Sequence, residues 1–175
     1  IMGFLKKVSR LVASENLPVT WTTPKPLNFP VQMMCYKKES KRVKTKMGDS
    51  IIKLSIQSDT DEIDKRKTAQ SICPNLIHSL DASCLMLAVI KAKDKGVANF
   101  SLIHDSFGCV APDVHKLSEA IREAFCEVYE QDVLTNWAME MKQMLSNKNA
   151  KKFPHIPERG NLDLSLVKQS IFFCV

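Results

Sequence analysis

Two β-leaning arms, Val31 to Met47 and Ser50 to Gln57, flank Gly48-Asp49, and this arrangement constrains the fold more than any other feature. A Gly-Asp pair between two such runs is a turn signal, so a long β-hairpin is predicted over 31–58. Its first arm carries Lys37, Lys38, Lys41, Arg42, Lys44 and Lys46 against the single acid Glu39. From Arg42 to Lys46 the cations alternate with Val43 and Thr45, which sets Arg42, Lys44 and Lys46 on one face of the strand. Lys53 can join them from across the hairpin. Such a face is either solvated surface or a nucleic-acid contact. A two-stranded ribbon has the width to enter a DNA groove, and its cations gain affinity by releasing counterions.

The rest of the chain alternates helical and short β patterns, so an α+β fold is expected. Phe4, Leu5, Val8, Leu11 and Val12 make one face of an amphipathic helix ending near Asn16. Val19 to Thr22 is strand-like, and Pro24, Pro26 and Pro30 make an irregular crossing. Asp59 to Asp64 is expected to be an acidic loop and helix start. Pro74 then precedes a helix from about Leu76 to Lys95, with Leu80, Leu87 and Ile90 on its apolar face. Asn99 to Ile103 and Phe107 to Ala111 are short strands joined through His104-Asp105-Ser106. Val114 to Tyr129 and Val133 to Leu145 are helical. Ser146 to Gly160 has the composition of a linker, followed by a short closing helix and the apolar end Ile171 to Val175.

With 175 residues, 45% hydrophobic and 25% charged, the chain is globular in composition, which excludes disorder or low complexity throughout. Its longest apolar run, Leu85 to Ile90, is far short of the roughly 20 residues a spanning helix needs, so no membrane span is expected. The net charge of +6 favours a polyanionic partner. Cys35, Cys73, Cys84, Cys109, Cys126 and Cys174 form no C-x-x-C pair, and free thiols in a reducing compartment are expected. A start at Ile1 fits a chain with residues ahead of it, or one cut from something longer.

Asp105 is the most informative acid. A carboxylate at a tight strand-to-strand connection is rigid and partly exposed, which suits a divalent metal; Asp-Ser-Gly-type turn chemistry accounts for it equally. His104 is expected on the opposite side of the ribbon, because strand side chains alternate. His78 and Asp81, three residues apart on a helix, share a face and either meet a ligand together or pair with each other. No histidine has a neighbour at zinc-ligand spacing, and the chain has no glycine-rich phosphate loop and no G-x-S-x-G.

Taken in order, these segments resemble the single-subunit RNA polymerases of T-odd-type phages, mitochondria and chloroplasts. Cys73-Pro74-Asn75-Leu76-Ile77-His78-Ser79-Leu80-Asp81-Ala82-Ser83 is similar to the family's P-N-F-(I/V)-H-S-x-D-x-S segment. Leu102-Ile103-His104-Asp105-Ser106-Phe107-Gly108 matches its second catalytic-aspartate motif, H-D-S-(F/Y). Phe29-Pro30-Val31 and Tyr36-Lys37-Lys38 are similar to the stretch opening its specificity hairpin. Gly160-Asn161-Leu162-Asp163-Leu164 and the Phe-rich end resemble its closing segment. The matches are collinear from about Phe4 to Val175.

The resemblance implies the carboxyl-terminal palm of a right-hand polymerase. By this division 1–30 ends the fingers region, 31–58 is the specificity loop, 59–145 holds the border helix and catalytic palm hairpin, and 146–175 is a linker and carboxyl-terminal foot with Phe172 and Phe173. It implies that Asp105 binds metal in a two-Mg2+ site, with His104 supporting its turn. His78 and Asp81 would face nucleic acid, and Lys37, Lys38, Arg42, Lys44, Lys53 and Ser55 would lie on the promoter-reading hairpin. The implied partners are a double-stranded DNA promoter or template, RNA product and NTPs.

The family's first metal-binding aspartate, and the Lys and Tyr of its nucleotide-binding helix, have no counterpart here, and Cys84 stands where the family often has His. The chain is thus expected to be incomplete alone, needing an upstream segment or a second polypeptide. A related DNA polymerase would read H-D-E at the catalytic motif, and a metal phosphohydrolase would carry His-Asp on a helix. The remaining alternative is a non-catalytic DNA-binding or regulatory module derived from the palm. Ser106-Phe107-Gly108 leans to phage and His78 to Ser83 to mitochondria; a phage origin, hence the cytoplasm of an infected bacterial host, is the expectation, with the mitochondrial matrix as the alternative.

Overall fold

The helix that opens the chain, α1 (Met2–Ser14), buries Phe4, Leu5, Val8, Val12 and Ala13 and turns Lys7 and Arg10 outward, as its periodicity requires. The computed structural model describes residues 1–170, and the foot residues Phe172 and Phe173 lie outside them. Helix accounts for 49% and strand for 25%, the strands forming three separate two-stranded antiparallel sheets, so the fold is α+β. No disulfide joins Cys35, Cys73, Cys84, Cys109 and Cys126.

β1 (Val19–Thr22) pairs with β2 (Pro30–Met33), Trp21 opposite Val31. Residues 31–33 thus belong to this small sheet rather than to the long hairpin, a non-local pairing that strand propensity cannot show. The hairpin itself is β3 (Tyr36–Met47) with β4 (Ser50–Ile63). Its second arm runs through Asp59–Ile63, where a loop was expected, because Asn16 extends the backbone pairing there. Asn16, at φ 56 just past α1, accepts from the Ile63 amide at 2.8 Å and donates to the Asp61 carbonyl at 3.1 Å.

The long helix α2 spans Lys65–Asp94, eleven residues longer at its start than the sequence indicated. Asp64 caps it, accepting from the amides of Arg66 and Lys67 at 2.9 Å, and those bonds hold its carboxyl below the usual range. Pro74 sits inside the helix and forfeits one backbone hydrogen bond, a loss that packing on α1 offsets. The buried stripe is Ile72, Cys73, Leu76, Leu87, Ala88 and Ala92; Ile90, expected inside, is exposed. An 18-residue window of α2 has mean hydropathy 1.4, apolar enough to cross a membrane by length and composition, which the count of contiguous apolar residues missed. A third of that window is buried, and α2 contributes to two hydrophobic clusters.

β5 (Phe100–Ile103) and β6 (Ser106–Cys109) come next, then α3 (Val114–Glu130), α4 (Val133–Met144), and the short α5 (Asn147–Ala150) and α6 (Ser165–Gln169). One cluster gathers α1, β1, β2, α4 and the first half of α2 around Trp137, whose indole donates to the Thr20 carbonyl. The other gathers α3 and the second half of α2, with Phe100, Phe107 and Cys109 of the small hairpin packed against it. Both hairpins close through two-residue turns, Met47 opposite Ser50 and Ile103 opposite Ser106. In each the first turn residue has a positive φ: Gly48 at 64° and His104 at 53°. Histidine therefore occupies the position that glycine fills in the sister hairpin.

Ile72→Ala, which empties a fully buried position, is expected to cost about 2–5 kcal/mol in urea unfolding. Ser9→Ala is expected to leave stability unchanged or raise it by about 1 kcal/mol, because the Ser9 hydroxyl is buried with no hydrogen-bond partner. At the turn, His104→Gly should leave amide exchange across Phe100–Cys109 unchanged or slower, and His104→Val should speed it. Equal exchange in the two variants would show that the turn holds no backbone strain.

Candidate catalytic turn and nucleic-acid interface

His104 and Asp105 form the tip of the β5–β6 hairpin, and both are exposed. The base of that hairpin is fixed by Phe100 and Phe107 against the α2–α3 cluster. The alternation argument for His104 does not hold, because the residue lies in the turn rather than in a strand. Asp105 makes no hydrogen bond or ion pair among the described residues, so its carboxylate is free to bind from outside. Among those residues no group of three or more His, Cys, Asp or Glu is arranged to hold a metal ion. Asp105 is a suitable hard oxygen ligand for Mg2+, but it supplies one ligand and not a site.

The helical segment Cys73 to Ser83 divides into two faces. Cys73, Leu76 and Ser83 are buried, and Ser79 accepts a hydrogen bond from the Trp21 indole at 2.9 Å. Ser83 donates to the Ser79 carbonyl at 2.7 Å. Ile77, His78, Asp81 and Ala82 are exposed. Packing therefore explains the serines and leucine of this segment, and leaves His78 and Asp81, one turn apart, without a structural task. No hydrogen bond or ion pair among the described residues joins them to His104 or Asp105. Sequence reasoning missed Tyr129, whose ring lies 4.5 Å from that of Phe125 between centres and tilted 42° to it. Burial raises its phenol above the usual value, and Asp81 and Cys84 add to the rise, which places Asp81 within electrostatic reach of the ring hydroxyl. Its four-residue spacing from Phe125 was the available signal.

The long ribbon is two-faced. Directly opposed residues share a face, and the register sets Arg42 opposite Ser55 and Lys44 opposite Lys53. Ser40 and Ser55 hydroxyls meet at 2.5 Å on that same face. Lys44 and Lys53 have no acidic partner among the described residues. The other face carries Val43, Ile52, Leu54 and Ile56, from 37% to 53% exposed. Lys38 is exposed opposite Asp59. Two ribbon cations are ion-paired: Lys41 with Glu39 at 3.3 Å, and Lys37 with Glu62, a bond that raises the lysine and lowers the carboxyl. Lys37 thus braces the root of the ribbon, together with the Asp64 amide, which donates to the Cys35 carbonyl at 2.7 Å.

Comparison with known proteins identifies the family. A family profile for DNA-dependent RNA polymerase matches residues 1–152. DNA-directed RNA polymerase 2, chloroplastic/mitochondrial, of Arabidopsis thaliana is 39% identical over 99% of this chain, which spans 16% of that protein. DNA-directed RNA polymerase 1, mitochondrial, of Nicotiana sylvestris is 35% identical over 99% of the chain, again spanning 16% of the relative. DNA-directed RNA polymerase 2A of Nicotiana tabacum is 35% identical, with 49% of its length covered. The chain therefore spans about one-sixth of the first two relatives. The carboxylate turn, the two-faced helix and the cationic ribbon are parts of a member of the phage-type, single-subunit family of DNA-dependent RNA polymerases.

Proposed function

We propose that this chain is the carboxyl-terminal palm and specificity-loop portion of a DNA-directed RNA polymerase that joins a nucleotide from an NTP to an RNA 3′ end. The observation that carries the reading is Asp105: a free carboxylate at the tip of a two-residue turn, inside an H-D-S-F sequence, on a hairpin anchored to the α2–α3 cluster. Asp105 holds one of the ligands for a two-Mg2+ site whose other carboxylate lies outside these residues, on an upstream segment or a second polypeptide. Bound with Asp105 as one ligand, the metals would lower the pKa of the RNA 3′-hydroxyl and neutralise charge on the triphosphate and leaving pyrophosphate. His104, in its left-handed conformation, aims the turn so that Asp105 projects away from the strands. His78 and Asp81 form a polar step facing the nucleic acid.

The ribbon reads the promoter. Its Arg42, Lys44, Lys53, Ser55 face presents cations and a hydroxyl to a DNA major groove, and Lys38 extends the charge towards the root. The relatives' names point to a plant organelle rather than an infected bacterium, so the mitochondrial alternative is the one favoured.

The test uses the complete polymerase containing this segment. Asp105→Asn is expected to lower nucleotide incorporation by about a thousandfold or more while leaving duplex binding intact. Retained incorporation would leave only a non-catalytic DNA-binding module. Lys44→Ala and Lys53→Ala are each expected to reduce the salt slope of promoter binding by about 0.9 if they meet phosphates. Arg42→Ala would instead shift preference at one base position by about 1–3 kcal/mol if it reads a base. Unchanged binding by all three across promoter variants at fixed salt would overturn the ribbon's role.

A further inference from the structure

A second cationic surface lies on elements that the ribbon and the catalytic turn do not use. α1 and the segment after α4 meet along a seam, and no Asp or Glu occurs in residues 1–14 or 141–157. The seam holds two adjoining grooves. One of about 760 Å³ is lined by Lys142, Asn147, Lys151 and His155, and the other, of about 290 Å³, by Lys7, Arg10, Ser14 and Lys152. Pro154 lines both, so they run into one another. No acidic residue lines either groove. Lys7, Arg10, Lys142, Lys151 and Lys152 are exposed and make no ion pair among the described residues.

These cations stand on fixed backbone. Glu15 at the end of α1 accepts from the Ser146 amide at 3.0 Å, the Ser146 hydroxyl at 2.5 Å and the Asn149 side chain at 2.6 Å. Those bonds fasten the segment to α1 and occupy Glu15, the acid that follows α1. Phe153, between the Lys151-Lys152 pair and Pro154, packs edge-on against Phe4 at 6.1 Å, and Phe4 in turn packs on Trp137. The segment read from sequence as a linker is thus docked, and its lysines are held in place. Assembling five unpaired cations costs the fold self-repulsion that nothing in these residues relieves.

We propose that this seam binds the phosphodiester backbone of a nucleic acid, as a site separate from the promoter-reading ribbon. Asn147 adds a neutral donor of the kind typical of phosphate contacts, and Leu11, Phe153, Pro154 and Ile156 give the grooves an apolar floor suited to sugars and unstacked bases. A single strand fits that floor better than a duplex.

Fluorescence anisotropy of the full chain tests this, with labelled dT20 and a 20-bp duplex of unrelated sequence as probes. The ribbon is first disarmed by Arg42→Ala, Lys44→Ala and Lys53→Ala. Residual binding is expected, and adding Lys7→Gln, Arg10→Gln, Lys151→Gln and Lys152→Gln should weaken it by about tenfold or more and reduce the salt slope by about 2–3. A larger loss for dT20 identifies a single strand as the source, and a larger loss for the duplex identifies template or downstream DNA. An unchanged affinity and slope, or no residual binding before the four substitutions, would overturn the proposal. So would equal retention of polyglutamate by the wild type, lost on the same substitutions. The four residues are exposed and unpaired, so unfolding midpoints should match and separate lost binding from lost folding.

Discussion

Burial of α2 on two different partners is the interaction on which the other parts depend. Its first half gives Ile72, Cys73 and Leu76 to the cluster with α1, β1 and α4, and its second half gives Leu87, Ala88 and Ala92 to the cluster with α3. The contact with α3 is built from alanines, Ala88 and Ala92 on one helix and Ala120 and Ala124 on the other, all fully buried. Small side chains let the two backbones approach closely, so the second half of α2 cannot shift without losing that fit. Because β4 ends at Ile63 and Asp64 caps α2 directly, the ribbon leaves the first turn of the helix with no intervening loop. The β5–β6 hairpin packs against the cluster that the far half of the same helix forms with α3. One helix thus contributes to the footing of both candidate functional regions.

The parts legible in the sequence were those governed by local pattern. α1, β1 and the hairpin turn at Gly48-Asp49 arise from apolar spacing and a glycine that accepts positive φ. The alternation of Arg42, Val43, Lys44 and Thr45 gave the correct faces, and the observed register supplied Lys53 and Ser55 as their neighbours. What escaped was tertiary. Val31 pairs with Trp21 rather than with the second arm, and Asp59 to Ile63 is held as strand by the Asn16 side chain. Pro74 reads as a helix boundary by propensity, yet capping by Asp64 and packing on α1 carry the helix through it. Within the candidate site the sequence located Asp105, but not the glycine-like backbone of His104, the diversion of Lys37 to Glu62, or Tyr129 beside Asp81.

The two faces of the ribbon impose different requirements. A two-stranded hairpin is marginal in water unless one face is covered, and here Val43, Ile52, Leu54 and Ile56 are open to solvent along one side. The structure braces only the root, through Asn16, the Cys35–Asp64 bond and the Lys37–Glu62 pair.

Sequences normally agree with their folds at every level, and disagreement concentrates where function is carried. Two disagreements here have no folding rationale. Lys44 faces Lys53 across the ribbon, a like-charge pair that weakens a hairpin already short of support. His104 adopts a conformation that its own sister hairpin assigns to glycine. The first cost is recovered when a polyanion lies across the ribbon and its phosphates replace the missing acids. The second lies beside Asp105 at the hairpin tip, so the strain that a glycine would relieve is borne by the residue next to the candidate metal-binding carboxylate.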